Sequence, residues 1–125
     1  GERSLPWDLL NDRPIYTQLL EQIKRKIVSG EYQAGERLPS VREYAAEAGV
    51  NPNTMQKALA ELEREGLVRA ERTAGRYITE DETLIQQVRE ALAREQIAVF
   101  ITIMKDLGYS REDSMEFIAR VLKED

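Results

Sequence analysis

Apolar and polar positions along the chain fall into five helical stretches and one short β-prone pair. Tyr16, Leu19, Leu20, Ile23 and Ile27 recur at helical spacing after Pro14 and predict a first helix with one buried stripe, ended at Ser29-Gly30. A short extended segment follows, with Gly35 in a turn and Leu38 pointing inward. Pro39 disfavours helix at the residue before it. Ser40 with Glu43 three residues on forms a capping box, which predicts a short second helix from Val41 to about Ala48. Gly49 breaks that helix, and Val50 sits in the turn. Asn51 caps a third helix with Pro52 at its first position, which runs to about Glu65 with Met55, Leu59 and Leu62 on its apolar face. Leu67–Ala70 and Arg76–Thr79 read as strands joined by a loop over residues 71–75. A fourth helix is expected from near Asp81 to Leu107, with Leu84, Val88, Leu92, Val99 and Ile103 on one face. Ser110 caps a last helix that is expected to bury Met115, Ile118, Val121 and Leu122.

Helix, helix, helix, hairpin is the order of a winged helix-turn-helix. The expected fold is mainly α with a small β-hairpin: a winged domain over residues 1–79, of which 1–13 form an N-terminal arm, and a two-helix dimerisation tail over 80–125. Within the arm, Trp7, Leu9 and Leu10 are expected to fold back onto the core, the equal alternative being a disordered end. The run Ile97 to Met104 is apolar nearly all round, so it needs cover on more than one side. A homodimer seam through Ile97, Phe100, Ile101 and Met104 would provide it, and the alternative is cover by the winged domain of the same chain.

Composition removes several classes of chemistry. The 125 residues contain no cysteine and no histidine, which excludes disulfides, thiolate zinc sites, Ser-His-Asp triads and Cys-His dyads. No phosphate loop or cofactor motif is visible, so neither an enzyme nor a cofactor is expected. The only dense apolar run falls well short of the about 20 residues that a membrane-spanning helix needs. The opening GERSLPWDLL lacks the apolar stretch of a signal peptide, and the expected location is the cytoplasm. The net charge of −5 runs against nucleic-acid binding, and residues 36–80 hold 7 Lys/Arg against 8 Asp/Glu. Any interface with DNA must therefore arise from where the charges point rather than from their sum.

The helix-turn-helix supplies that geometry. Ala45 and Ala48 are small where two helices cross, Gly49 tolerates the tight turn, and Val50 plugs it. With Met55, Leu59 and Leu62 inward, Asn53, Gln56 and Lys57 point outward, with Thr54 beside them. Amide and hydroxyl tips of this kind suit base edges in a major groove. Arg42 is placed to reach the DNA backbone or a guanine, and Arg72 and Arg76 flank the wing. Each has an ordinary explanation singly: a helix cap for Asn51, Asn53 or Thr54, a surface pair with Glu43 or Glu47 for Arg42, solvation for the wing arginines. It is their order on one motif that points to double-stranded DNA. The alternative function is a winged-helix protein-interaction module, which the acidic balance would suit.

The stretch Pro14-Ile15-Tyr16, the run from Gly30 to Arg42 (GEYQAGERLPSVR) and Gly49-Val50-Asn51-Pro52-Asn53-Thr54 resemble the GntR family of bacterial regulators across residues 14–79. The short helical tail is similar to that of its YtrA subfamily. The resemblance implies that Arg42 contacts DNA, that Pro52, Asn53, Thr54 and Gln56 open the recognition helix, and that Gly75 is the wing glycine. Two departures stand out. Pro52 replaces the Arg or Ser of many relatives, and the wing reads Thr73-Ala74-Gly75-Arg76-Tyr77-Ile78 in place of G-K-G-T-[FY]-V. The resemblance further implies repression from a palindromic operator as a homodimer. A small-molecule effector is an open partner that would have to sit between the tail and the winged domain.

Overall fold

The computed structural model describes Trp7, Leu9, residues 13–72 and residues 74–124. Its elements are α1 (Ile15–Val28), α2 (Val41–Ala48), α3 (Pro52–Arg64), β1 (Val68–Glu71), β2 (Gly75–Ile78), α4 (Glu82–Asp106) and α5 (Arg111–Glu124). The chain forms two compact units, the first ending at Arg89 and the second starting at Glu90. The division falls inside α4, whose first turns belong to the winged core. Ile85 is buried there, with Leu84 and Val88 packed against the same cluster.

In the first unit, the stripe of α1 (Leu19, Ile23, Ile27) meets Met55, Ala58, Leu59 and Leu62 of α3, and all seven are buried. Leu38, Tyr44, Ala45, Leu67, Val68 and Ile78 close the cluster. Each large side chain withdrawn in this way contributes roughly 1.5–3 kcal/mol of transfer free energy. Two polar residues lie buried on the same helix, which periodicity alone did not flag. Gln18 donates to the Arg13 carbonyl at 2.8 Å, and the Lys26 ammonium pairs with Glu31 at 2.8 Å. Lys26 also lies 4.8 Å from the centre of the Trp7 ring, which meets Tyr44 edge-on at 5.6 Å. Trp7 and Leu9 thus pack on the core, whereas Leu10 lies outside the described residues.

The strands pair antiparallel, with Val68 opposite Ile78 and Glu71 opposite Gly75. Each sits about one position from its expected place at the turn end, because Gly75, at φ +96°, closes the turn and is itself the first residue of β2. Residues 35–38 add a third extended segment to β2. Ile78 donates to the Glu36 carbonyl at 2.8 Å and Leu38 to the Arg76 carbonyl at 2.8 Å. From α4, the Arg89 guanidinium donates twice to the Val28 carbonyl, at 2.9 and 2.7 Å, and so caps the end of α1.

In the second unit, Ser110 caps α5 by accepting from the Asp113 amide at 3.0 Å, and the Tyr109 and Phe117 rings stack at 5.5 Å. Phe100, Met104, Phe117, Ile118, Val121 and Leu122 line an apolar groove of about 200 Å³. The buried face expected for α5 is not buried within the chain: Met115 is 71% and Leu122 67% exposed, and Ile118 and Val121 are exposed too. Val99 and Ile103 of α4 are likewise exposed. Two helices alone offer too little surface to cover every apolar position that they carry. Among the described residues, no helix is long and apolar enough to cross a membrane.

Candidate nucleic-acid interface

The turn between α2 and α3 is built by local chemistry. The Ser40 hydroxyl accepts from the Glu43 amide at 3.2 Å, and the Glu43 carboxylate accepts from the Ser40 amide at 3.2 Å. Hydrogen bonding from Ser40 holds the Glu43 carboxyl below the usual carboxylate range. At the far end of α2, Gly49 takes φ +73°, a left-handed conformation that residues with a Cβ rarely adopt. Val50 follows, its amide donating to the Ala45 carbonyl at 3.0 Å and its side chain packed against the core. The Asn51 carboxamide oxygen then accepts from the Asn53 amide at 2.7 Å, with Pro52 in the first helical position.

This construction fixes which face of α3 is free. Met55, Ala58, Leu59 and Leu62 are buried, while Asn51, Pro52, Asn53, Gln56 and Lys57 are exposed and Thr54 is half-buried. Two of these side chains have work within the chain. Asn51 commits its oxygen to the cap and retains its amide group, and the Lys57 ammonium lies 4.5 Å from the centre of the Tyr16 ring. On α2, Arg42 is exposed and forms no ion pair with a described residue, Glu43 and Glu47 included.

At the wing, Arg72 is exposed and also lacks an ion-pair partner among the described residues. Arg76 does not point freely outward: its Nε donates to the Glu63 carboxylate on α3. Arg69 pairs with Glu71 and lies over the Tyr77 ring. A residue that the sequence reading passed over, Arg37, lies beside the wing. A methyl group added at Gly75 would stand 3.3 Å from the Arg37 Nε. The signal for it was the alternation of the extended segment, since an inward Leu38 turns Arg37 outward. Ile97 of the expected seam is 56% exposed and Phe100 and Ile101 are half-buried, but Met104 is only 8% exposed, since it lines the groove of its own unit.

Three helices closed by a hairpin, with a polar face free at the start of the third, define a winged-helix transcription regulator. The model of the family described as "Bacterial regulatory proteins, gntR family" matches residues 15–78, and the chain belongs to that family, whose members are DNA-binding regulators rather than enzymes. It is 39% identical over 108 residues to the "Uncharacterized HTH-type transcriptional regulator YhcF" of Bacillus subtilis (strain 168), covering 86% of this chain and 89% of that protein. It is 36% identical over 115 residues to the "HTH-type transcriptional repressor YtrA" of the same organism, covering 91% and 88%. Among solved structures, it resembles a GntR family transcriptional regulator from Listeria monocytogenes with a TM-score of 0.82 and 38% identity, over 90% of this chain and 98% of that one. The AraR DNA-binding domain in complex with operator ORX1 matches with a TM-score of 0.51 and 27% identity, over 54% of this chain and 81% of that one.

Proposed function

We propose that this regulator is a repressor that binds a palindromic operator as a homodimer, with the start of α3 in the major groove of each half-site. The observation that carries the reading is the exposed polar row Asn53, Gln56 and Lys57 on a helix whose opposite face is locked into the core. A major groove about 12 Å wide accepts such a helix, and carboxamide tips match the paired donor and acceptor of adenine. Asn51 and Pro52 set the N-terminus, whose free amides attract a phosphate, and Thr54 adds a hydroxyl beside them. Arg42, from α2, and Arg72, near the wing glycine Gly75, supply charge for the DNA backbone. Repression is supported by the similarity to a named repressor, and operator binding by the similarity to a DNA-binding domain seen with its operator.

The dimer is supported by the second unit. Ile97, Val99, Ile103, Leu107, Met115 and Leu122 are large, apolar and more than half exposed in the single chain. Exposure on this scale is costly in water, and a second copy of the same unit covers it with the twofold symmetry that a palindrome requires. Ile97 and Ile101 serve as the contact across the axis, and Phe100 and Met104 form the floor beneath. Such a protein acts in the cytoplasm, where its DNA lies.

The test is a selection of bound duplexes from a random-sequence pool, followed by affinity measurements across salt concentrations. The expected result is an inverted repeat bound with a steep inverse dependence on salt. Recovery of no sequence, with no retention on duplex even at low salt, overturns the reading.

A further inference from the structure

The three wing arginines and the one beside them do not have equivalent surroundings. Arg69 is taken by Glu71 and the Tyr77 ring. Arg76 is taken by Glu63, both side chains being well covered at 21% and 30% exposure. Its own carbonyl accepts from the Leu38 amide, so Arg76 is held at the backbone as well as at the guanidinium. Glu63 lies on α3 between Glu61, which pairs with Arg64, and Glu65, which pairs with Lys24 of α1 at 2.8 Å. The carboxylates at the end of α3 thus fasten that helix to α1 on one side and to the hairpin on the other. Arg37, in contrast, is exposed and forms no ion pair with a described residue. Glu43, on which Arg37 acts electrostatically without an ion pair, is already engaged by Ser40. Gly75 leaves room for the Arg37 guanidinium against the backbone of the wing, where any side chain would crowd it.

We infer that the charge that this wing offers to a DNA backbone comes from Arg37, carried on the segment before α2, together with Arg72, and that Arg76 is a positioning residue whose pairing with Glu63 locks the wing to the recognition helix. Arg37 therefore reaches the wing from outside the hairpin. This explains how the wing keeps a phosphate contact although its basic residue has moved to position 76. The inference rests on the reading of the protein as an operator-binding regulator.

The two roles separate in the salt dependence of binding, because each phosphate neutralised contributes a slope of about 0.9 in log K against log salt. The probe is a duplex selected by the unsubstituted protein. Arg37→Ala is expected to weaken binding and to lower the slope by about one. Arg76→Ala and Glu63→Gln are expected to weaken binding by a similar factor, roughly tenfold, with the slope unchanged and no further loss when the two are combined. Arg76→Lys, which keeps the charge pair, is expected to restore most of the affinity. Glu63→Gln binding as tightly as the unsubstituted protein or tighter, with Arg76→Ala lowering the slope by about one, would show that Arg76 is itself the contact and overturn the assignment. An unchanged slope in Arg37→Ala overturns the other half. If the unsubstituted protein selects no duplex, the underlying reading falls instead, which is a different result from a bound duplex with the wrong slopes.

Discussion

At the scale of single residues, the helix-turn-helix separates side chains that build from side chains that are free to read. Asn51 and Asn53 are two positions apart on similar chemistry, yet the cap takes the oxygen of Asn51 and leaves Asn53 exposed. Under the proposed function Gln56 is the clearest candidate for reading a base, since it is exposed one turn further along the same face. Gln56→Ala is expected to lower affinity for the selected sequence by about 1–3 kcal/mol and to relax preference at one base pair. Arg42→Ala should instead weaken binding to every duplex alike, and fluorescence anisotropy on matched and mismatched duplexes checks both. Glu43 gives a pH prediction. Its folded pKa is depressed by Ser40, so its contribution to stability is present above the ordinary carboxylate pKa and is lost as pH falls through the depressed value. Thermal melts of Glu43→Gln and the unsubstituted protein should therefore differ at neutral pH and converge in acid. Burial pushes the Tyr44 hydroxyl far above the ordinary tyrosine range, so it stays protonated and hydrogen-bonded to Tyr32 at 2.8 Å.

At the scale of elements, the order α1, α2, α3, hairpin was legible because each boundary carries its own local signal. The capping box at Ser40, the left-handed Gly49 and the Asn51-Pro52 start are decided within a few residues, and the structure has all three. Gly49→Ala is expected to cost about 1–2 kcal/mol, because nothing crowds the added methyl and only the backbone conformation resists it. Urea denaturation measures that loss, and a variant as stable as the unsubstituted protein would mean that the turn does not need a left-handed residue. What the local signals could not give was the partner of each wing arginine. Arg76 and Glu63 are 13 positions apart and meet only because β2 folds back over α3. The third extended segment, residues 35–38, is equally non-local, and with it Arg37 came to the wing unforeseen.

At the scale of the whole molecule, the winged unit buries its apolar stripe internally and the helical unit does not. Periodicity expected Met115, Ile118, Val121 and Leu122 to be buried, and the single chain leaves them exposed. The dimer proposed above reconciles the two. Ile97→Lys adds a charge at a position 56% exposed in the single chain, so it should leave the subunit folded while splitting the dimer. Light scattering is expected to show a monomer for that variant, with operator affinity reduced and half-site contacts retained. A monomeric unsubstituted protein at micromolar concentration would remove the basis of the dimer.

Taken by itself, the sequence determined the class of fold, the helix-turn-helix and which side of α3 is polar, because caps, breakers and a 3.6-residue period act over distances of a few residues. The tertiary structure alone decided which charges are spent inside the subunit and which are left for a partner. An ion pair across elements depends on how those elements come together, and neighbours along the chain do not carry that information.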